Sequence, residues 1–426
     1  MNKILTTLLS LTVGSAAAQH TVNMGGDISM LPQYEKVSTP YYDARGGRIS
    51  DVLKWMRDDA KMNSMRVRLF VNPEMGKAKE GVVQDLDYVT KLGKRIKDAG
   101  MDFMLDIHYS DTWADPSSQS LPKTWYKGTL SNTNPTDAAL QDSVYNYTKR
   151  TLEHLAANGA MPDFVQIGNE ISYGMLWRTN ADRCYSNASA ATFTRFTGFL
   201  KQASKAVRQA APDAKIIVHI ERSGDAKASK EFYARMQKDG VDYDIIGLSY
   251  YPFWHGDLGK LSTALSTLEL AYPDKPVQIV ETAYYYSCYP GGTDITDFTK
   301  TWAATPEGQK TYIEDLCAEL ANHANVTGLY YWFPEENGNG GAQWSADKVV
   351  LSSWINRGLW DNSKHVALPG IMSLQKFVEK KEALDISAPK TDHVGIPVPL
   401  YDLAGRHLST IPDHGVYISG GKKFVK

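Results

Sequence analysis

Short apolar runs of strand length recur eight times along the chain, and each closes in a polar or aromatic cluster. They are Thr21 to Ile28, Met65 to Val71, Met101 to Tyr109, Phe164 to Glu170, Lys215 to Ile220, Tyr243 to Tyr251, Val277 to Thr282 and Val326 to Phe333. The stretches between them carry helical spacing, as in Leu86, Val89 and Ile96 closed by Gly100, or Phe193, Phe196, Leu200 and Val207. Strands alternating with helices predict a parallel sheet, and eight such units predict its closure into a (β/α)8 barrel rather than an open doubly wound sheet. No GxGxxG follows any run, so the dinucleotide-binding signature is missing.

The pattern changes at both ends. Residues 1–18 hold one lysine, Lys3, an apolar stretch from Ile4 through Val13 and the small run Ala16-Ala17-Ala18. This is the layout of a secretory signal peptide, expected to be cleaved near Ala18, and it is too short to span a bilayer, which takes about 20 residues. No cysteine follows it for lipid attachment, so a secreted chain, periplasmic or extracellular, is expected. Residues 19–387 form the expected barrel. From 388 to 426 the sequence breaks into short runs punctuated by Pro and Gly, ending in Val416-Tyr417-Ile418-Ser419-Gly420-Gly421, and a small β-rich tail is expected there. Its Leu400-Tyr401-Asp402-Leu403-Ala404-Gly405-Arg406 segment resembles a tail found on secreted bacterial carbohydrate-processing proteins.

Composition narrows the partners. A net charge of -2 with both signs spread along the chain provides no basic stripe for nucleic acid and no polybasic membrane patch. Three cysteines, Cys184, Cys288 and Cys317, allow at most one internal disulfide and have no zinc-binding spacing. The 10 tryptophans and 24 tyrosines sit often beside Gly, Pro, Asp and Asn, which places many of them on loops, where flat rings can receive a neutral ligand.

In a barrel of this kind the reacting groups stand at the C-terminal ends of strands. Two glutamates do so here, Glu170 closing Val165-Gln166-Ile167-Gly168-Asn169 and Glu281 closing Val277-Gln278-Ile279-Val280. A carboxylate after so apolar a run is costly unless it is paired or functional. Either one alone could be a salt-bridged strand terminus. Together they match what glycosidic cleavage needs, a proton for the leaving oxygen and a carboxylate for the oxocarbenium-like centre.

The chain also resembles glycoside hydrolase family 53, the endo-β-1,4-galactanases, within the clan of retaining (β/α)8 glycosidases. The resemblance runs from about Asn23 to about residue 370. Gly26-Asp27-Ile28-Ser29, the run Arg66 to Pro73, the run His108-Tyr109-Ser110-Asp111-Thr112-Trp113-Ala114-Asp115-Pro116, Gly168-Asn169-Glu170-Ile171, Ser249 to Trp254 and Tyr330-Tyr331-Trp332 carry it. It implies Glu170 as acid/base, Glu281 as nucleophile and Asn169 as donor to the sugar 2-hydroxyl. Arg68 and Tyr250 would orient the nucleophile, though Arg66 shares the strand parity of Arg68 and could take its place. His108 and Trp332 would border the reacting subsite, with Asp111, Trp113 and Trp254 also contacting sugar and Trp177 offering a further stacking face. The implied substrate is β-1,4-galactan or type I arabinogalactan, the side chains of pectin, cut internally by double displacement. No cofactor is implied. The calcium loop that some bacterial members carry after the seventh strand is replaced by Tyr284 to Gly292, and Pro334 to Gly340, which could offer oxygens to a cation, reads as a solvated loop.

Other functions make different demands. A metal-dependent barrel hydrolase could use His108, His219 and His255 near strand ends, but no HxH or HExxH occurs. A non-catalytic carbohydrate-binding barrel has no use for the glutamate pair, and another endo-β-1,4-glycanase of the same clan would use the same pair on a different polymer.

Overall fold

The computed structural model describes residues 22–36, 38–74, 77, 80–184, 189–287, 300–338, 354, 356–387, 400–402, 407–408, 416–419 and 422–425. The expected signal peptide and Cys288 lie outside them. The chain divides between Val378 and Glu379 into two compact units.

The first unit holds a closed barrel of eight parallel strands in sequence order. In chain order it runs β1 (Asn23–Asp27), α1 (Leu31–Lys36), α2 (Val52–Asp58), β2 (Ser64–Leu69), α3 (Leu86–Asp98), β3 (Asp102–Ile107), α4 (Asp137–Ala157), β4 (Phe164–Ile167) and α5 (Ala190–Ala210). It continues through β5 (Lys215–Ile220), α6 (Ala226–Lys238), β6 (Ile245–Ser249), α7 (Pro252–His255), α8 (Leu258–Ala271), β7 (Val277–Thr282), α9 (Pro306–Ala321), β8 (Val326–Trp332) and α10 (Pro369–Ser373), and α11 (Lys376–Ser387) crosses the division between the units. The eight predicted runs are these strands, and the expected (β/α)8 barrel is the fold. In the second unit, β9 (Leu400–Asp402), β10 (His407–Leu408), β11 (Val416–Ser419) and β12 (Lys422–Val425) form an antiparallel sheet in the order β10-β9-β11-β12.

Local chemistry starts and stops the barrel helices. Asp51, Asp85, Thr136, Ser189, Asp225, Asp257 and Thr305 each accept from the N–H three residues on, at the start of α2, α3, α4, α5, α6, α8 and α9. Such a cap is worth about 1 kcal/mol. Gly100, Gly159 and Gly240, just past α3, α4 and α6, take positive φ and turn the chain toward the next strand.

Alternation along the strands then sorts the side chains. Phe103, Leu105, Ile107, Val165, Ile167, Ile216, Val218, Ile220, Ile246 and Leu248 are buried in the large core beneath the helices. The opposite parity fills the lumen, where Met104, Phe164, Ile217, Ile245, Val280 and Tyr330 form a separate apolar cluster. Below it the lumen is polar, with Asn23 Nδ2 donating to Asp102 at 2.8 Å and Ser64 Oγ 2.7 Å from the Tyr330 hydroxyl. Above it, toward the C-terminal ends of the strands, Asp27, Arg66, Asp106, Gln166, His219 and Ser249 are all buried. The apolar layer is a floor on which this polar layer rests.

Candidate active site

Glu281 is aimed by an irregularity in β7. On one side Leu248 pairs with Ile279 and Ser249 with Glu281; on the other, Ile279 pairs with Leu329 and Thr282 with Tyr331. The strand therefore carries one extra residue against both neighbours, a bulge. Val280 packs in the lumen floor while its neighbour Glu281 also faces inward, and Thr282 reaches outward to the Tyr312 hydroxyl on α9 at 2.6 Å. Strict alternation would have sent Glu281 to the helices.

The inward Glu281 carboxylate is held from two sides, by Arg66 at 2.9 Å on Oε1 and by the Tyr251 hydroxyl donating to Oε2 at 3.0 Å. Arg66 also donates to Asp27, Asp106 and Asn169, each at 2.8 Å. Burial alone would lower its pKa, but the carboxylates of Asp106, Glu281 and Asp27 outweigh burial and keep it charged. Glu281 is raised to about 7 by burial, against the pull of Arg66 and the Tyr251 hydrogen bond.

Glu170 follows β4 through Gly168, whose φ is +98°, and itself has φ +48°, a region that a residue with a side chain seldom adopts. The turn leaves the carboxyl partly open to the cleft. Among the described residues no cation bonds to it; Ser249 Oγ donates to Oε1 at 2.6 Å. Burial, then the charges of Glu281 and Glu221, hold its pKa well above the ordinary carboxylate range, against the Ser249 bond. Where the two glutamates hold one proton between them, burial away from any cation favours it on Glu170, and Arg66 and the Tyr251 hydroxyl favour the ionised form of Glu281. Their environments push the pair apart as acid and base roles require.

Both carboxylates open into a cleft of about 420 Å³, walled by Trp113, Trp254, Trp332 and Trp354 and reaching Glu80, His108, Asp115 and Asn169. The indoles run in series, with ring centroids 6.0 Å apart from Trp113 to Trp332, 4.2 Å to Trp354 and 6.2 Å on to Trp254. Trp254 at the rim is 63% exposed, which for so large an apolar ring marks a surface meant to be covered.

Most of the residues singled out in the sequence meet here, and four take other places. Arg66, not Arg68, touches Glu281; Arg68 bonds Asp27 at 3.2 Å and lies 4.4 Å from the Trp113 ring, backing the indole wall. Tyr251, not Tyr250, bonds Glu281, because Ser249 ends β6 facing inward and the next inward position is Tyr251; Tyr250 donates outward to the Gly256 carbonyl at 2.9 Å. Asp111 lies off the cleft and accepts from the amides of Asn72 and Lys123, at 3.0 and 2.8 Å, so it ties loops together. Trp177 is also off the cleft, beneath Arg183 at 4.3 Å. His108 lines the cleft, donating from Nε2 to Asp106 at 3.0 Å and accepting the Ala114 amide on Nδ1 at 3.0 Å.

Ser249, Tyr251 and Asp115, which lie in the runs that carry the resemblance but were given no role, and Trp354 and Glu80, which were not named, stand at the site as well. Inward parity from Gly247 and Ser249 was the available signal for Tyr251. Among the described residues no three His, Cys, Asp or Glu side chains group to hold a metal ion. The stretch after β8 is not the expected solvated loop, since Glu335, Glu336 and Asn337 are fully buried. Glu335 accepts the Met30 amide at 2.9 Å and Glu336 the Gly338 amide at 2.9 Å, so these carboxylates pin backbone. Cys184 and Cys317 are both buried.

Residues 23–374 match the family model described as glycosyl hydrolase family 53. Over 320 residues the chain is 36% identical to an uncharacterized protein in the bgaB 5' region of Niallia circulans, covering 73% of this chain and 83% of that one. It is 35% identical over 346 residues to a probable arabinogalactan endo-beta-1,4-galactanase A of Neosartorya fischeri, covering 78% of this chain and 89% of that protein. Among solved structures, the Ignisphaera aggregans GH53 catalytic domain superposes with a TM-score of 0.71 at 30% identity, over 84% of this chain and 96% of that one.

Proposed function

The chain belongs to glycosyl hydrolase family 53 and is a glycosidase, and on that footing we propose that it is an exported endo-β-1,4-galactanase acting with retention of configuration. Its substrate is β-1,4-galactan, including type I arabinogalactan. The first 18 residues direct export, 19–387 form the catalytic barrel and 388–426 a separate β-rich tail. The observation that carries the catalytic reading is the asymmetry of the two glutamates: Glu281 is clasped by Arg66 and Tyr251, whereas among the described residues the Glu170 carboxyl is met by a serine hydroxyl and no cation.

Ionised Glu281 attacks the anomeric carbon while Glu170 gives its proton to the leaving glycosidic oxygen. Glu170, now ionised, takes a proton from water, which attacks the same carbon and releases Glu281. Two inversions give retention. Asn169 uses one Nδ2 hydrogen on the Ala114 carbonyl at 2.9 Å, leaving the other for the sugar 2-hydroxyl. The indole series lies along the cleft as a platform for successive pyranose rings, which suits internal cleavage of a polymer. The reaction needs no cofactor.

Purified protein incubated with a panel of plant polysaccharides should release oligosaccharides from galactan with an early fall in viscosity. Monomer released first, or preference for a glucan, mannan or xylan, overturns the endo or the galactan reading. Glu281→Ala with azide and an activated aryl galactoside should give the α-galactosyl azide, and Glu170→Ala the β-galactosyl azide. The reverse pattern exchanges the roles.

A further inference from the structure

Behind Glu170, two side chains outside the carboxylate pair form a hydrogen-bond chain. Ser249 Oγ stands 2.6 Å from Glu170 Oε1 and 2.8 Å from His219 Nε2. Both residues are fully buried at the lumen ends of β6 and β5. The direction of the chain follows from the other face of the imidazole. His219 Nδ1 faces two donors, Gln166 Nε2 at 3.1 Å and the Glu170 backbone amide at 3.4 Å. Asn169 Oδ1, also 3.1 Å away, already accepts from Arg66 and Gln166. Nδ1 is therefore an acceptor. Burial and the nearby Arg66 cation keep the ring neutral, so its one proton sits on Nε2 and is donated to Ser249 Oγ. The serine hydrogen is left with one acceptor, Glu170 Oε1.

We infer that Ser249, oriented by His219, is a positioning residue that dictates which oxygen of Glu170 carries the catalytic proton and supports the ionised form that activates water. With Oε1 always accepting from Ser249, the acid proton belongs on Oε2, toward the cleft. When that proton leaves with the glycosidic oxygen, the Ser249 hydrogen is already aligned to the new carboxylate, without reorientation. The inference rests on Glu170 being the acid/base. Among the described residues the strongest other charges acting on Glu170 are Glu281 on β7, Glu221 after β5 and Asp115 after β3, all acidic, with the neutral Tyr251 hydroxyl nearby; each opposes its ionisation or leaves it alone. Ser249 is the donor that favours it.

The test uses the full-length enzyme with an aryl β-galactoside bearing a good leaving group, for which hydrolysis of the glycosyl-enzyme limits turnover. Ser249→Ala should lower kcat about tenfold, the worth of one hydrogen bond to a charged group, and leave kcat/KM within about threefold. The alkaline limb of kcat/KM should move to higher pH by about 1, because the ionised acid has lost its donor. Azide, which needs no base, should restore turnover. Ser249→Thr, which keeps the hydroxyl, should keep the wild-type pH profile. A merely structural role would lower kcat and kcat/KM together, leave the limb in place and give no azide rescue, and that result overturns the inference. So does a Ser249→Thr enzyme that behaves like Ser249→Ala while unfolding at the wild-type temperature. If Ser249→Ala is unchanged but Glu170→Ala gives the β-galactosyl azide, the inference fails and the acid/base assignment stands; if Glu170→Ala gives the α-anomer, the assignment itself fails.

Discussion

Tyr251→Phe removes one oxygen from the clasp on Glu281 and little else, so its effect can be worked from the contacts. The hydroxyl donates to Glu281 Oε2 at 3.0 Å in a buried setting. A hydrogen bond to a charged group is worth about 1.5–3 kcal/mol, which corresponds to about 1–2 in pKa at 1.36 kcal/mol per unit. Arg66 remains at 2.9 Å and the lower figure applies if its guanidinium compensates. Since the donor favours the ionised form, its loss raises the Glu281 pKa from about 7. The nucleophile must be ionised, so the acidic limb of kcat/KM moves to higher pH. Near pH 6 activity falls about tenfold to a hundredfold, and most of it returns on the alkaline side of the new limb. The comparison is Tyr250→Phe, which loses only a bond to the Gly256 carbonyl and should unfold slightly earlier with the limb unmoved. Activity profiles from pH 4 to 9 on a short galacto-oligosaccharide separate the two. If the limb moves in Tyr250→Phe, or if Tyr251→Phe loses activity equally at every pH, the clasp has been misread.

Three further outcomes follow from other contacts. Burial, then Asp27, raises Glu335 to about 8 against an ordinary 4.5, so the stability it contributes is complete below about 4.5 and lost as pH rises to about 8. Glu335→Gln keeps a carbonyl for the Met30 amide, and its unfolding temperature should gain on the wild type between pH 5 and 9, by up to about 5 kcal/mol of stability; parallel curves would refute this. Trp254→Ala at the exposed rim should raise KM for galactan severalfold with no change for an aryl monogalactoside and no loss of melting temperature, and an equal rise for both substrates argues against a role in holding the polymer. Asp111→Ala should cost about 1–3 kcal/mol by orphaning two loop amides while KM on short substrates stays within about twofold; a large KM change at constant stability would make it a sugar contact after all.

The barrel was legible because each strand buries both faces and writes itself as an apolar run closed by polar residues, and the glutamate pair because both lie where such a run ends. Which neighbour of a pair does the work was harder to read. Arg66 and Arg68 share a parity and both turn into the lumen; only the height of Glu281 in the barrel makes Arg66 the partner and Arg68 the support beneath Trp113. Tyr250 and Tyr251 differ in parity, and counting from Ser249 would have separated them. His219 stood out in the sequence only as a possible metal ligand, since its service to Ser249 depends on a strand 30 residues away. Glu335 and Glu336 looked solvated because a loop after a strand usually is, and their amide partners at Met30 and Gly338 could not be foreseen from spacing.

The extra residue in β7 fixes the nucleophile by number rather than by chemistry. Any side chain at Val280 leaves the phase of the strand intact, so a long history of point substitution can change the lumen floor while Glu281 keeps its aim. A single-codon deletion at Val280 would instead take out the extra residue and leave a regular ladder in which Glu281 still faces inward and Thr282 outward, with a lumen-floor side chain lost. The strand should thus tolerate exchange at Val280, and a homologue with a one-residue gap between Val277 and Thr282 should have lost the bulge and kept the aim of its nucleophile.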